Sequence, residues 1–138
     1  MTEPQEAHPL AEAIRQMLDN GLPSAATVHL GGVPSGTPTP YVVIYPDIGT
    51  ETPADRSLAD DVSTDFRFQA TSVGATYTQA MLTAGMANTL LLTTIPAVTG
   101  RRVRPIRQEG SQPVRREDES SPLWFATAQY LARSDRTS

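Results

Sequence analysis

The first run of helical periodicity lies near the N-terminus, over residues 7–19 with the sequence AHPLAEAIRQMLD. Four apolar side chains recur there at spacings that put them on one helix face: Leu10, Ile14, Met17 and Leu18. The dipeptide NG follows at 20–21, and we expect Gly21 to end the helix as a left-handed cap. The pattern therefore predicts an amphipathic helix with one face on a core.

A second helix is predicted over residues 75–92, ATYTQAMLTAGMANTLLL. Its expected core stripe consists of residues spaced three and four apart, namely Tyr77, Met81, Ala84, Asn88 and Leu91, and it is widened by Ala80, Ala87 and Leu90. Glycine inside a helix costs about 1 kcal/mol relative to alanine. We therefore expect Gly85 to mark a point of close packing.

Five further segments have strand-like patterns: ATVHL at 26–30, YVVIY at 41–45, TDFRFQATS at 64–72, RRVRPIRQ at 101–108 and LWFATAQYLA at 123–132. In the third segment Phe66, Phe68 and Ala70 share one face, so that strand has one side on a core. Pro105 assigns the fourth segment to a sheet edge or a bulge. Between these segments, 46–63 and 109–122 read as polar loops.

The order of these elements predicts an α+β fold, with a mostly antiparallel sheet of about four to five strands and two helices packed on one face. The 138 residues amount to one domain. We therefore expect a single domain over 1–138, with flexible ends at 1–6 and 133–138.

Composition narrows the possible chemistry. The chain has no cysteine, which excludes disulfides, thiolate metal sites and a cysteine nucleophile. The acidic start has no basic segment of the signal-peptide kind, and no apolar run approaches the roughly 18 residues of a membrane span. We therefore expect a soluble protein that is synthesised in the cytoplasm and has no membrane partner.

No catalytic, cofactor or metal site is predicted. The two histidines, His8 and His29, lack neighbours of metal-ligand spacing, and a structural or surface role is favoured for both. The acidic run DRSLADD at 55–61 lacks the alternation and central glycine of a calcium loop. With no lysine in the chain there is no phosphate loop. The sequence gives no positive reason to expect an enzyme.

Charge is segregated along the chain. An acidic block contains Asp47, Glu51, Asp55, Asp60, Asp61 and Asp65 against one arginine, and a basic block contains Arg101, Arg102, Arg104, Arg107, Arg115 and Arg116 against one carboxylate. The basic block could be a solvated edge strand, a DNA-facing surface or a partner for carboxylates of another chain. The net charge of −4 argues against a general nucleic-acid binder. The matching size of the two blocks favours contact with another chain over contact with DNA.

The stretch GGVPSGTPTPYVVIY joins a loop rich in proline and glycine, 31–40, to a strand-prone run. Together with DFRFQATSV, ATYTQAMLTAGMANTLL and LWFATAQYLAR, it resembles the tail terminator (tail completion) proteins of bacteriophages with long non-contractile tails. The resemblance covers most of residues 8–132 and rests on the order and spacing of these segments.

This resemblance implies a structural virion protein without catalytic residues or cofactors. Such proteins form a hexameric ring at the head-proximal end of the tail, where they stop polymerisation of the tube. The implied partners are further copies of the chain, the major tail tube protein, the head–tail connector or stopper protein, and genome DNA that passes through without sequence-specific binding. The alternatives are a head–tail joining or stopper protein, or a non-phage small α+β binding module.

A cyclic assembly needs two unlike, complementary patches on each subunit, and a stiff loop loses little entropy when it docks. The expected inter-subunit interface therefore combines the two charge blocks and the proline loop: Asp47, Glu51, Asp55, Asp60, Asp61, Arg101, Arg102, Arg104, Arg107, Pro34, Pro38 and Pro40. The proline loop could equally serve only to protect a sheet edge.

Overall fold

The computed structural model describes residues 4–46, 63–116 and 122–136. In chain order the elements are α1 (Pro4–Gly21), β1 (Thr27–Leu30), β2 (Tyr41–Pro46), β3 (Ser63–Gly74), α2 (Tyr77–Thr93), β4 (Arg101–Val103), β5 (Arg107–Arg116) and β6 (Trp124–Arg136). The predicted acidic loop lies outside the described residues except for its two ends.

The six strands form one sheet in the order β1-β2-β3-β6-β4, and β5 also pairs with β6. β3 occupies one edge of β6 along its length, so β4 and β5 follow each other along the opposite edge. Among the described strands, β1 and β2 are parallel and the remaining pairs are antiparallel. The α+β prediction with a mostly antiparallel sheet is confirmed, with six strands where four to five were expected.

Both helices pack on the same face of this sheet, as predicted. From α1, Ile14 and Leu18 are fully buried against strand residues such as Val42. Leu91 of α2 belongs to the same core. Phe66, Phe68 and Tyr130 stack across β3 and β6, with neighbouring ring centroids 5.6 and 5.4 Å apart. Burial of these large apolar side chains is the main source of the fold's stability.

The segment predicted as a polar loop at 109–122 begins with a strand, so that prediction is wrong over 109–116. β5 pairs with β6 through its backbone, and register shifts between Gln108 and Gly110 and between Gln112 and Arg115 mark two irregularities. Pro113 lies in the second, where a missing N–H does little harm. The sequence does not reveal this strand, because an edge strand that is exposed on both faces lacks the alternation of apolar and polar residues by which strands are predicted. The single strand predicted over 101–108 is divided near Pro105.

The predicted core stripe of α2 is wrong in part. The buried residues are Ala80, Thr83, Ala87 and Leu91, whereas Tyr77 and Met81 are exposed. A helix that is apolar on nearly every side gives no periodicity by which the inward face could be chosen. The helix begins as its sequence requires, because the hydroxyl of Thr76 accepts a hydrogen bond from the backbone N–H of Gln79 at 3.0 Å.

Gly21 is the last residue of α1, but it is not the left-handed cap that the sequence predicted. Its φ is not positive, unlike those of Gly31, Gly36 and Gly100. A Cβ built at Gly21 would lie 2.7 Å from Cδ2 of Leu90 on α2. The glycine therefore allows α1 and α2 to approach closely.

The proline-rich loop is the connection between two parallel strands. Such strands normally need a crossover of about a dozen residues or more, usually with a helix. Here residues 31–40 make the return without a helix. Val33 packs on Tyr41, Val43 and Val73, a small cluster on the sheet face opposite the helices. Proline and glycine suit this extended return, because they favour neither helix nor sheet.

The segments expected to be flexible are partly built into elements. α1 already begins at Pro4, and β6 continues to Arg136. Asp135 is only 7% exposed and accepts a hydrogen bond from Nε of Arg104 at 2.8 Å. β4 pairs with this end of β6, and that pairing extends the strand beyond residue 132.

Candidate interaction surfaces

The described residues offer no metal-binding cluster. Within residues 4–46, 63–116 and 122–136, no group of three or more His, Cys, Asp or Glu side chains could hold a metal ion. Nε2 of His29 lies 2.9 Å from Oγ1 of Thr27 at the exposed edge strand β1. Among the described helices, none is long and apolar enough to cross a membrane.

The basic block forms one edge of the sheet, made by β4 and β5 together. We call this the arginine edge, and it contains Arg101, Arg102, Arg104, Arg107, Arg115 and Arg116. The sequence interpretation of an edge strand is thus confirmed for this segment. Charged side chains on an edge discourage uncontrolled pairing with another sheet.

Several of these arginines have partners in their own chain. Arg101 donates to Oγ of Ser134 at 2.9 Å and to its carbonyl oxygen at 3.0 Å. Arg104 pairs with Asp135, as described above, and the guanidinium of Arg116 lies 5.1 Å from the ring centroid of Trp124. Arg102 and Arg107 are exposed, and no ion pair is found for either among the described residues. They are therefore the arginines best placed to meet another molecule.

Two charge pairs cross the helix-free face of the sheet. Nε of Arg133 donates to Oδ1 of Asp65 at 2.6 Å, and this hydrogen bond lowers the pKa of Asp65 below its ordinary value. Arg67 of β3 pairs with Glu109 of β5 at 3.1 Å across β6. Glu109, the one carboxylate of the basic block, is thus paired within the chain. The same holds for Asp65, the carboxylate of the acidic block that the structure describes. The sequence did not predict these pairs, because the second depends on the unpredicted strand β5.

The proline loop lies on the other side of the sheet from the arginine edge, since β1 and β2 stand at one end of the strand order and β5 at the other. Pro34 and Pro38 are exposed and Pro40 is half-buried. The five candidate carboxylates Asp47, Glu51, Asp55, Asp60 and Asp61 lie outside the described residues. The structure therefore brings the candidate arginines together and separates them from the prolines.

The largest surface missed by sequence reasoning is apolar. Six large hydrophobic residues around α2 are exposed: Tyr77, Met81, Leu82, Met86, Leu92 and Ile95. No charged residue occurs between Arg67 and Arg101, a stretch that includes the whole of α2. We define the α2 outer face as Met81, Leu82, Gly85, Met86 and Thr89. The sequence feature that indicates this surface is the absence of a polar face on the α2 segment.

A shallow cleft of about 200 Å³ separates α2 from β5. Its walls are mostly small side chains, including Ala84, Ala126, Ala128 and Ser111. Met81 and Gly85 belong both to this cleft and to the α2 outer face. The α2 outer face and the cleft thus adjoin each other, and the opposite wall of the cleft is formed by Gln108, Ser111, Gln112 and Val114 of β5.

No protein-family profile matches the sequence, and no curated protein matches it. Among solved structures, one chain of the virion of a native gene transfer agent (GTA) particle has a similar fold, with a TM-score of 0.65 and 18% sequence identity. The match covers 91% of this chain and 94% of that chain. The likeness therefore extends over nearly the whole of both folds, and at this identity it concerns the fold alone.

Proposed function

We propose that this protein is a structural component of a phage-like virion, and that it acts without catalysis. The observation that carries the proposal is the near-complete overlap of its fold with a chain of a gene transfer agent virion particle. Two features of the described residues support it. The α2 outer face is exposed and uncharged, and the arginines are collected on one sheet edge. Surfaces of both kinds suit a protein that works in an assembly.

Within the virion, the proposed role is that of a tail terminator. Copies of the chain form a hexameric ring on the head-proximal end of the tail tube, end its polymerisation and join the tail to the head connector or stopper protein. Genome DNA passes through the ring without sequence-specific binding. The order of sequence segments that resembles the tail terminator family supports this finer assignment.

A cyclic ring requires each subunit to present two unlike flanks. The fold offers them, because the arginine edge and the β1–β2 side with the proline loop are opposite ends of the sheet order. In the proposed ring, the carboxylates of 47–61 meet Arg102 and Arg107 of the next subunit. The loop around Pro34 and Pro38 contacts an adjacent subunit or the tube.

Deletion of the gene in a producer of the particles tests the terminator role. Electron microscopy should then show tails of uncontrolled length that are not joined to heads, and a plasmid copy should restore normal particles. Tails of normal length that fail to join heads would instead indicate a stopper protein. Normal particles in the deletion strain would refute the virion role.

The charge contact has its own test, with the double variant Arg102→Glu, Arg107→Glu. Both side chains are exposed, so the fold should persist while ring formation weakens, as measured by light scattering. The matched control is Arg102→Lys with Arg107→Lys, which keeps the charge. Assembly that is equal in the two variants, and unaffected by salt, would contradict the pairing.

A further inference from the structure

Asn20 and Gly21 are the last two residues of α1, and both are exposed. Glycine suits the second position, because a Cβ there would lie 2.7 Å from Cδ2 of Leu90 on α2. At Gly85, in contrast, a Cβ would meet no atom within 4 Å, so the close packing predicted there is not found within the described residues. The contact between α1 and α2 therefore places a glycine directly after an exposed asparagine.

Asn-Gly is the dipeptide in which an asparagine side chain reacts most readily with its own backbone. The backbone nitrogen of Gly21 attacks Cγ of Asn20 and gives up its proton, the bond between Cγ and the side-chain nitrogen breaks, and ammonia leaves. Water then opens the resulting five-membered succinimide at either carbonyl, which leaves aspartate or isoaspartate at position 20. Glycine favours the attack because it has no Cβ to crowd the reacting nitrogen.

The helical backbone of α1 opposes this reaction. The five-membered ring closes only when the nitrogen of Gly21 is nearly eclipsed with Cβ of Asn20, whereas a helical ψ of about −42° turns that nitrogen well away from the side chain. Gly21 belongs to the helix and its φ is not positive. Rotation about ψ of Asn20 must therefore open the last turn before the ring can form.

The last turn is held by a buried leucine on each side of the Asn-Gly pair. Leu18 is fully buried and Leu22 is 5% exposed, and both belong to the main core cluster. The backbone N–H of Leu22 donates to the carbonyl oxygen of Leu18 at 2.9 Å. A change in ψ at Asn20 displaces Leu22 from the core, so this exposed helix end does not fray as a free end does.

We propose that Asn20 is a latent deamidation site, which the burial of Leu18 and Leu22 keeps closed. Opening of a helix turn is far faster than succinimide formation, so the rate of deamidation reports the population of the open turn. Deamidation therefore follows the local opening of α1 rather than the exposure of the asparagine side chain. The proposal concerns this chain alone and does not depend on a role in a virion.

Neither product restores the closed turn. Aspartate at position 20 adds a second carboxylate beside Asp19 at the negative end of the helix dipole. Isoaspartate inserts a methylene group into the main chain before Gly21 and so shifts the point at which α1 meets Leu90. Each modified chain therefore has a weaker contact between α1 and α2.

Peptide mapping by mass spectrometry tests the proposal on the full chain, incubated at one mildly alkaline pH either folded or in urea. We expect deamidation at position 20 to be at least tenfold slower in the folded chain than in urea. Asn88, which precedes the β-branched Thr89, is the internal control and should react more slowly than Asn20 in urea. Equal rates at position 20 in the folded and unfolded chain would overturn the proposal.

Leu22→Ala separates opening of the last turn from unfolding of the whole chain. The matched control is Ile106→Ala, which truncates an equally large buried side chain of the same core cluster in the segment between β4 and β5. Circular dichroism checks that both variants remain folded. We expect faster deamidation at position 20 in Leu22→Ala and the wild-type rate in Ile106→Ala.

Equal acceleration in the two variants would overturn the proposal, because the reaction would then proceed through global unfolding. The comparison of the wild type in buffer and in urea needs no variant, and it decides the proposal by itself if either variant fails to fold.

Discussion

The phenol hydroxyl of Tyr130 on β6 donates a hydrogen bond of 2.6 Å to Oδ1 of Asn88 on α2. Tyr130 is 2% exposed, and its ring stacks on Phe68. The bond therefore ties the helix to the sheet at a partly buried site beside the cleft between α2 and β5. Loss of either side chain leaves the other polar group without a hydrogen-bond partner at a partly buried site.

Tyr130→Phe should lower the free energy of unfolding by about 1 kcal/mol, because the ring packing is kept and only the hydrogen bond is lost. Urea denaturation measures the change. Asn88→Ala and the double variant complete a mutant cycle, in which the second substitution should cost less once the first is present. Strictly additive effects would show that the two groups are not coupled.

Burial raises the pKa of Tyr130 from 10.0 to about 12. Its folded-state pKa thus lies above the unfolded value, so its contribution to stability is complete below pH 10 and is lost as the pH rises through 12. Absorbance of tyrosinate during alkaline titration should show one tyrosine ionising late, together with unfolding. The Tyr130→Phe variant should lack that late step.

The pair formed by Asp65 and Arg133 predicts the opposite pH dependence. The pKa of Asp65 lies below its ordinary value of 3.8, chiefly because Arg133 donates a hydrogen bond to it. The stabilisation is therefore present above that value and is lost as the pH falls through the lower folded-state pKa. Both side chains are more than a third exposed, so Asp65→Asn should cost less than about 1 kcal/mol at neutral pH.

Urea midpoints at neutral and strongly acidic pH would measure this effect. The Asp65→Asn variant should lose less stability on acidification than the wild type. Arg133→Gln, which removes the other partner of the pair, should lose the same part of the acid sensitivity. Identical acid sensitivity of the wild type and Asp65→Asn would show that solvent screens the pair completely.

Gly74→Ala and Gly85→Ala should change stability in opposite directions although the substitution is the same. At Gly74 the new methyl group would meet the backbone of α2 at Gln79 and Ala80, which cannot yield as a flexible side chain does. We expect a loss of about 3 kcal/mol there and a gain of about 1 kcal/mol at Gly85. Calorimetry of both variants checks the pair, and equal signs would contradict the close approach of β3 and α2.

The elements with a one-sided pattern were predictable. α1 presents one apolar face, and β3 alternates through Phe66, Phe68 and Ala70, so both segments reveal which side is buried. β5 could not be predicted in this way, because exposure on both faces removes the alternation. α2 failed for the converse reason, since an apolar side chain on every face conceals which of them is turned to solvent.

The interaction surfaces likewise differ in how far the sequence alone predicts them. The clustering of arginines follows directly from the sequence, but the edge that they form consists of two strands, β4 and β5, where the sequence predicted one. The ion pair between Arg67 and Glu109 forms because β3 and β5 lie on either side of β6. No local sequence pattern specifies that arrangement of strands. The exposed state of Leu82 likewise depends on which face of α2 the sheet accepts.

The position of β6 has a consequence for biosynthesis. β6 follows the other described strands along the chain, yet it lies between β3 on one edge and β4 and β5 on the other. In a nascent chain that has emerged only as far as β5, β3 is therefore not joined to β4 and β5, because the strand that pairs with all three is missing. The sheet can close only after residues 124–136 leave the ribosome, so an incompletely translated chain has no attached arginine edge to offer to other subunits.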